Sequence, residues 1–275
     1  MKLVILTDME GVAGINNFHD WVFPGGFRYE TGCRLLTEEV NAAIRGFMEN
    51  GFDQVLVLDA HGHGGIHIEA LDERALYQRG WVGPYPMGIT EEYDALAFVG
   101  QHAKASTPYA HLAHTSSLNV LDQRVNGLSI GEYGMTVFMA ATLDVRPIFG
   151  SGDKAFCQEA KALCPHIRTV CVKEGLMPGT GYECTTEEYY ERNISAVHLQ
   201  PKAARRKIYE GACEAARAFL ADPEKFRVEP LKPPFNVEID YRTDHRGVPA
   251  TYSYTHDTDI IAAFNRSWNE RPFKK

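Results

Sequence analysis

Three short apolar runs early in the chain end in side chains that bind metal ions: LVILTDME at Asp8 and Glu10, VLVLDAH at His61, and AFVGQH at His102. Ligands of an open α/β sheet bind at the carboxyl ends of its strands, so three such endings can share one site. Glu132, in the turn GEYG, is the fifth candidate. Three carboxylates and two imidazoles suffice for two divalent ions, and a metal pair points to hydrolysis because it can activate water and polarise the bond under attack. Imidazole ligands favour zinc or another divalent transition metal over calcium or magnesium.

Taken singly, each candidate has a plainer reading. Asp8 and Glu10 are two apart and face one side of an extended segment, but such a pair also serves as a solvated turn or a helix cap. His61 belongs to DAHGHGGIH and lies nearest the strand end, where position is best defined. His63 and His67 are further candidates for ligands or substrate contacts, and Asp59 could orient an imidazole from behind. Glu132 opens a helix, whose positive end stabilises a carboxylate whatever else that group does.

The elements that must position these residues follow from periodicity. A strand at 3–7 leads into a loop dense in turn formers (Gly11, Gly14, Asn16, Asn17, Pro24, Gly25), which argues against regular structure there. From about Tyr29, Leu36, Val40, Ala43, Ile44 and Phe47 recur at helical spacing, and Gly51 marks the end. A strand at 54–58 completes a βαβ crossover, which requires parallel strands. Pro84 and Pro86 mark a turn before a strand at 95–99; LNVLD at 118–122 runs to a hairpin-like turn at Asn126 and Gly127. Helix is expected at 132–143, strand at 146–150, a helix opened by SGDK with Asp153 in its first turn, and strand at 169–173. An irregular insertion at 174–193 precedes a helix at 201–220, with Pro201 suited to its first turn. Pro230, Pro233 and Pro234 form a stiff linker to strands at 237–241 and 251–254 and a closing helix at 257–268.

The fold class is therefore α/β, a mainly parallel sheet flanked by helices, with a smaller C-terminal α/β portion. The 275 residues read as a single catalytic unit, with a metal-site half at about 1–155 and a second lobe at about 156–275.

Composition narrows the function classes. The net charge of −8, with only Lys202, Arg205, Arg206 and Lys207 clustered, argues against a nucleic-acid partner; that cluster reads as a solvated helix face. No apolar stretch approaches the roughly 20 residues of a membrane span. The N-terminus runs directly into a strand without a signal-peptide core, and the six cysteines lack a CxxC pair, so a soluble, cytoplasmic protein with reduced thiols is expected. Cys157 and Cys164 are expected on one helix face and Cys171 in the next strand, all as small buried residues.

With DMEGVAG (8–14), RYETGCRLLTEEVNAAI (28–44), VLVLDAH (55–61), GQHAKASTP (100–108), HTSS (114–117), GEYG (131–134) and SGD (151–153) in order, the chain resembles the self-compartmentalising zinc D-aminopeptidase family. The resemblance implies two zinc ions held by Asp8, Glu10, His61, His102 and Glu132, with Asp8 bridging, and a catalytic histidine at His114. It implies a short peptide substrate with a D-residue such as D-Ala at its N-terminus, and a homodecamer with an internal channel. Lys104, in HAKAS, becomes the candidate to steady an oxyanion, and His111 lies in the same loop as His114 as the alternative catalytic histidine. Two features depart from the family pattern. The interval from His102 to His114 is one residue longer, and 174–200 is longer and poorer in matching residues, which leaves substrate selectivity open.

Two other readings accompany this one. A dinuclear metal hydrolase could act on another small amide or a phosphoester, and a non-catalytic peptide-binding protein could use the same cleft without turnover. Hydrolysis of free-amine peptides but not N-blocked ones separates them.

Overall fold

The apolar runs become parallel strands whose two faces are both covered. A computed structural model describes residues 1–80, 85–242 and 250–269. In chain order the elements are β1 (Lys2–Thr7), α1 (Phe18–Trp21), α2 (Tyr29–Met48), β2 (Gln54–Asp59), β3 (Leu76–Gln78), β4 (Ala95–Gln101), β5 (Val120–Val125), β6 (Leu128–Ser129) and α3 (Glu132–Thr142). Then follow β7 (Arg146–Asp153), α4 (Lys154–Leu163), β8 (Arg168–Gly175), α5 (Thr186–Arg192), β9 (Ala196–His198), α6 (Pro201–Ala221), β10 (Phe235–Tyr241), β11 (Ala250–His256) and α7 (Ile260–Asn269).

The main sheet has the order β3-β2-β1-β4-β7-β8-β9. It is parallel apart from β9, which runs antiparallel to β8. Alternation along each strand sends Leu3, Ile5, Val55 and Val57 toward α2 and α6, and Val4, Leu6, Leu56 and Leu58 toward α3 and α4. From β1 the chain steps outward to β2 and β3, then returns to place β4 on the other side of β1. Such a reversal opens a crevice at the carboxyl ends of the two inner strands. Asp8 follows β1 there and His102 follows β4.

A second, antiparallel sheet has the order β11-β10-β5-β6. The apolar ring of α3 lies between the sheets: Tyr133, Val137 and Ala140 pack toward the main sheet, and Met135, Phe138 and Met139 toward the second sheet and Phe264 of α7. That double burial holds the start of α3, and so Glu132, at the crevice. The smaller sheet thus recruits mid-chain residues as well as C-terminal ones, while β8 and α6 complete the main layers from beyond residue 155.

Several local expectations change. The segment after β1 is not wholly irregular, because Asn17 caps α1 by accepting from Asp20 N at 2.8 Å. The presumed irregular insertion holds α5, whose capping box pairs Thr185 with Glu188, a signature readable in the sequence. Cys157 and Cys164 are buried as expected, but Cys171 is exposed, since its position on β8 faces outward. The strand expected at 118–122 begins two residues later and runs into the turn at Asn126 and Gly127, both at positive φ as a tight hairpin requires. The turn expected at Pro84 and Pro86 lies partly outside the described residues.

Candidate metal centre

The site begins with the way β1 ends. Asp8 N donates to Val99 O at 3.0 Å and Gly11 N to Gly100 O at 2.7 Å, so the loop carrying Asp8 and Glu10 stays pressed against the end of β4. Gly100 permits this: its φ is +80°, and a Cβ there would lie 2.0 Å from Asp8 O.

Asp8 is central. Its Oδ1 lies 3.1 Å from His61 Nδ1, and its Oδ2 lies 3.2 Å from both His102 Nε2 and Gln101 Nε2. Glu10 Oε2 approaches His61 Nδ1 at 3.5 Å; Glu132 Oε1 lies 3.7 Å from His102 Nε2 and from His114 Nε2. Ser116 N donates to that Glu132 oxygen at 2.7 Å and holds the carboxylate in place. The donor atoms fall into two groups, Asp8 with Glu10 and His61, and His102 with His114 and Glu132, each within 4.8 Å. The two oxygens of Asp8 face one group each.

All three histidines spend one ring nitrogen on a backbone carbonyl and turn the other toward carboxylates. His61 Nε2 meets Val22 O at 3.0 Å, His102 Nδ1 meets Ala103 O at 2.8 Å, and His114 Nδ1 meets Leu112 O at 3.0 Å. This is how metal-ligating imidazoles are oriented, because the carbonyl fixes the tautomer and leaves a lone pair facing inward. Glu10 Oε2 and His102 Nε2 are buried without a hydrogen-bond partner, which is costly unless something further satisfies them. Three carboxylates and inward-facing imidazole nitrogens, with unsatisfied atoms among them, fit divalent cations of the zinc type.

The electrostatics agree. Burial pushes Asp8 up, but His102 and His61 outweigh it and hold the carboxyl well below its ordinary range. Burial opposes protonation of His61 and His102, yet Glu10 and Asp8 around the first, and Glu132 and Asp8 around the second, raise both well above the ordinary value. The pocket therefore draws positive charge strongly.

Behind it lies a frame that the sequence reading missed. Lys173, at 2% exposure, donates from Nζ to Glu10 O and to Ile15 O, the latter at 3.3 Å. Ala13 N donates to Glu39 Oε1 and Gly14 N to His198 Nδ1, each at 3.0 Å. Burial lowers the Lys173 ammonium to about 8 and raises Glu39 to about 7. A lysine ending the strand run TVCVK was the available signal. Gln101, beside His102, was legible only as part of GQH.

The remaining sequence candidates are placed differently. Asp59 does not touch an imidazole; it accepts from Gly65 N at 3.0 and 3.1 Å and from Tyr77 Oη at 3.1 Å, fastening the loop that carries His61. Lys104 is drawn away from the cavity, its ammonium donating to Ser129 Oγ at 2.6 Å and Ser129 O at 3.1 Å. His111 turns into the interior, with ring Nε2 3.2 Å from Ile194 O and its backbone N–H donating to Asp153 Oδ2 at 3.0 Å. His63 lines the cavity, whereas His67 does not. Asp8, Glu10, His61, His114 and Glu132 open on a cavity of about 460 Å³, within the range of small-ligand sites.

Known proteins share this arrangement of chain. The peptidase M55 family model, described as D-aminopeptidase, matches residues 1–255. A D-aminopeptidase of Bacillus subtilis (strain 168) is 31% identical over 238 residues, 85% of this chain and 78% of the relative. The solved structure of the Zn-dependent D-aminopeptidase DppA from Bacillus subtilis, described as a self-compartmentalizing protease, matches with a TM-score of 0.81 and 23% identity over the whole of both chains. That last likeness is one of fold.

Proposed function

The chain belongs to the M55 peptidase family of D-aminopeptidases, and from that premise we propose that it is a dinuclear zinc aminopeptidase. It removes the N-terminal residue, a D-amino acid such as D-Ala, from short peptides. The observation that carries this is the trio of carbonyl-anchored histidines turned toward Asp8, Glu10 and Glu132.

In this reading Asp8, Glu10, His61, His102 and Glu132 would hold the two ions, with the two carboxylate oxygens of Asp8 facing one donor group each. Two zinc ions, when bound, supply Lewis acidity toward the scissile carbonyl and the attacking water. The chain's own residues do the rest. His114 Nε2, free of the carbonyl that holds Nδ1, takes the proton of the attacking water and delivers it to the leaving amine. Gln101 steadies Asp8 through its amide N–H, and Ser116 N keeps the Glu132 carboxylate turned inward. The apolar rings beside the site limit water.

The whole chain acts as a single catalytic unit, and the proposed assembly is a homodecamer; that a relative of the same fold is a self-compartmentalizing protease supports an assembly that encloses its sites. The cysteines, free among the described residues, suit the reducing cytoplasm. Metal analysis of protein purified without chelator, beside release of D-alanine from D-Ala-D-Ala and from its L-counterpart, tests the proposal. About two zinc ions per chain and D-selective release are expected; absence of both metal and hydrolysis refutes it. Asp8→Asn should weaken metal binding by more than the roughly 100-fold that loss of an outer partner costs.

A further inference from the structure

Beside the carboxylates and histidines, the cavity lining also holds the apolar side chains Phe18, Phe23, Tyr85, Met87 and Leu118. Phe18 and Phe23 stack at 6.3 Å between ring centroids. Phe18 meets His114 edge-on at 5.7 Å, and Phe23 meets His63 edge-on at 5.6 Å. Phe18 and Phe23 therefore form an aromatic wall that runs from the proposed proton-transfer group to His63.

It is also held in place. His61 Nε2 bonds Val22 O at 3.0 Å, between the two phenylalanines, and Asn17 caps the helix that bears Phe18. Arg28 N donates to Asp20 O at 2.8 Å and closes the segment on itself. A rigid aromatic surface beside a reacting centre binds apolar side chains at little ordering cost. Among the described residues the lining holds no lysine or arginine to pair with an acidic side chain, which an apolar surface would strip of water without compensation. The methyl group of alanine leaves most of such a wall in contact with water.

We propose that Phe18 and Phe23 are specificity-determining residues, and that the substrates are peptides with a bulky apolar side chain on one of the two residues flanking the scissile bond. This rests on the aminopeptidase reading above. An apolar pocket gains about 10-fold or more in kcat/KM for each methylene it newly buries at close fit.

The test measures kcat/KM of the zinc-loaded enzyme on two series, D-X-Ala-Gly and D-Ala-X-Gly, with X alanine, leucine, phenylalanine or glutamate. Leucine or phenylalanine should exceed alanine by about 10-fold or more in one series, with glutamate below alanine. Alanine best in both series overturns the proposal while leaving the aminopeptidase reading intact; no cleavage of any free-amine peptide overturns that reading instead. Phe23→Ala should bring the leucine-to-alanine ratio close to one, and Phe23→Leu should preserve it. A merely structural role would lower both substrates together and leave the ratio unchanged in both variants, which also refutes the assignment.

Discussion

The imidazole of His114 lies flat against that of His102, with ring centroids 4.0 Å apart and planes 17° from parallel. Because Leu112 O holds Nδ1 of His114, the stack aims Nε2 at the cavity and at Glu132, 3.7 Å away. His114 therefore shares a donor group with a proposed ligand while remaining open to substrate.

Replacing it separates the two roles. His114→Ala should lower kcat by about 10²–10⁴-fold, the usual worth of a positioned proton-transfer group, with zinc content near that of the parent. Elemental analysis of the same preparation decides: loss of one ion would make His114 a ligand.

Lys173 should matter to the metal more than to the fold. Lys173→Met removes the cation that tethers Glu10 O and Ile15 O but also removes a buried charge, so the stability change should stay within about 1–3 kcal/mol. Zinc affinity should fall about 10–100-fold, as when a supporting partner of a ligand is lost. Chelator competition measures it, and unchanged affinity would show that the tether is dispensable.

Gly100 should tolerate no side chain. A Cβ would lie 2.0 Å from Asp8 O at a φ of +80°. Gly100→Ala should cost more than the roughly 1–3 kcal/mol of backbone strain alone, because Asp8 must also move. The urea midpoint and zinc content should fall together; a parent-like midpoint would contradict the close approach of β1 and β4.

His111 should make the fold acid-sensitive. Burial, then Lys173 and His198, lower its imidazole from 6.5 to about 2. Below the ordinary value the unfolded chain takes up a proton that the folded chain refuses. Stability present above pH 6.5 is therefore lost progressively as pH falls, by up to about 1.4 kcal/mol per pH unit. Urea midpoints of His111→Gln should fall less steeply with decreasing pH than those of the parent; equal slopes would falsify the assignment.

What could be read from sequence was local and periodic. The strand ends at Asp8, His61 and His102, the long helix after Tyr29 and the carboxylate opening α3 follow from spacing alone, and the structure places all of these proposed ligands at one crevice. The sequence also carried the capping signal of α5, overlooked among acidic residues. Spacing could not reveal which polar residues face away. Lys104 and His111 share a loop with His114, yet contacts with Ser129 and Ile194, remote in sequence, draw them elsewhere. Lys173, Glu39 and His198 reach the Asp8 loop from three separate elements, and the Phe18–Phe23 wall is fixed where Val22 O, between the two rings in sequence, meets His61 Nε2. Periodicity and strand-end chemistry thus nominated Asp8, Glu10, His61, His102 and Glu132 as candidate ligands, because they depend on near neighbours. The frame, the wall and the outward turn of Lys104 belonged to tertiary structure, because long-range hydrogen bonds and packing decide where a buried polar side chain can be satisfied.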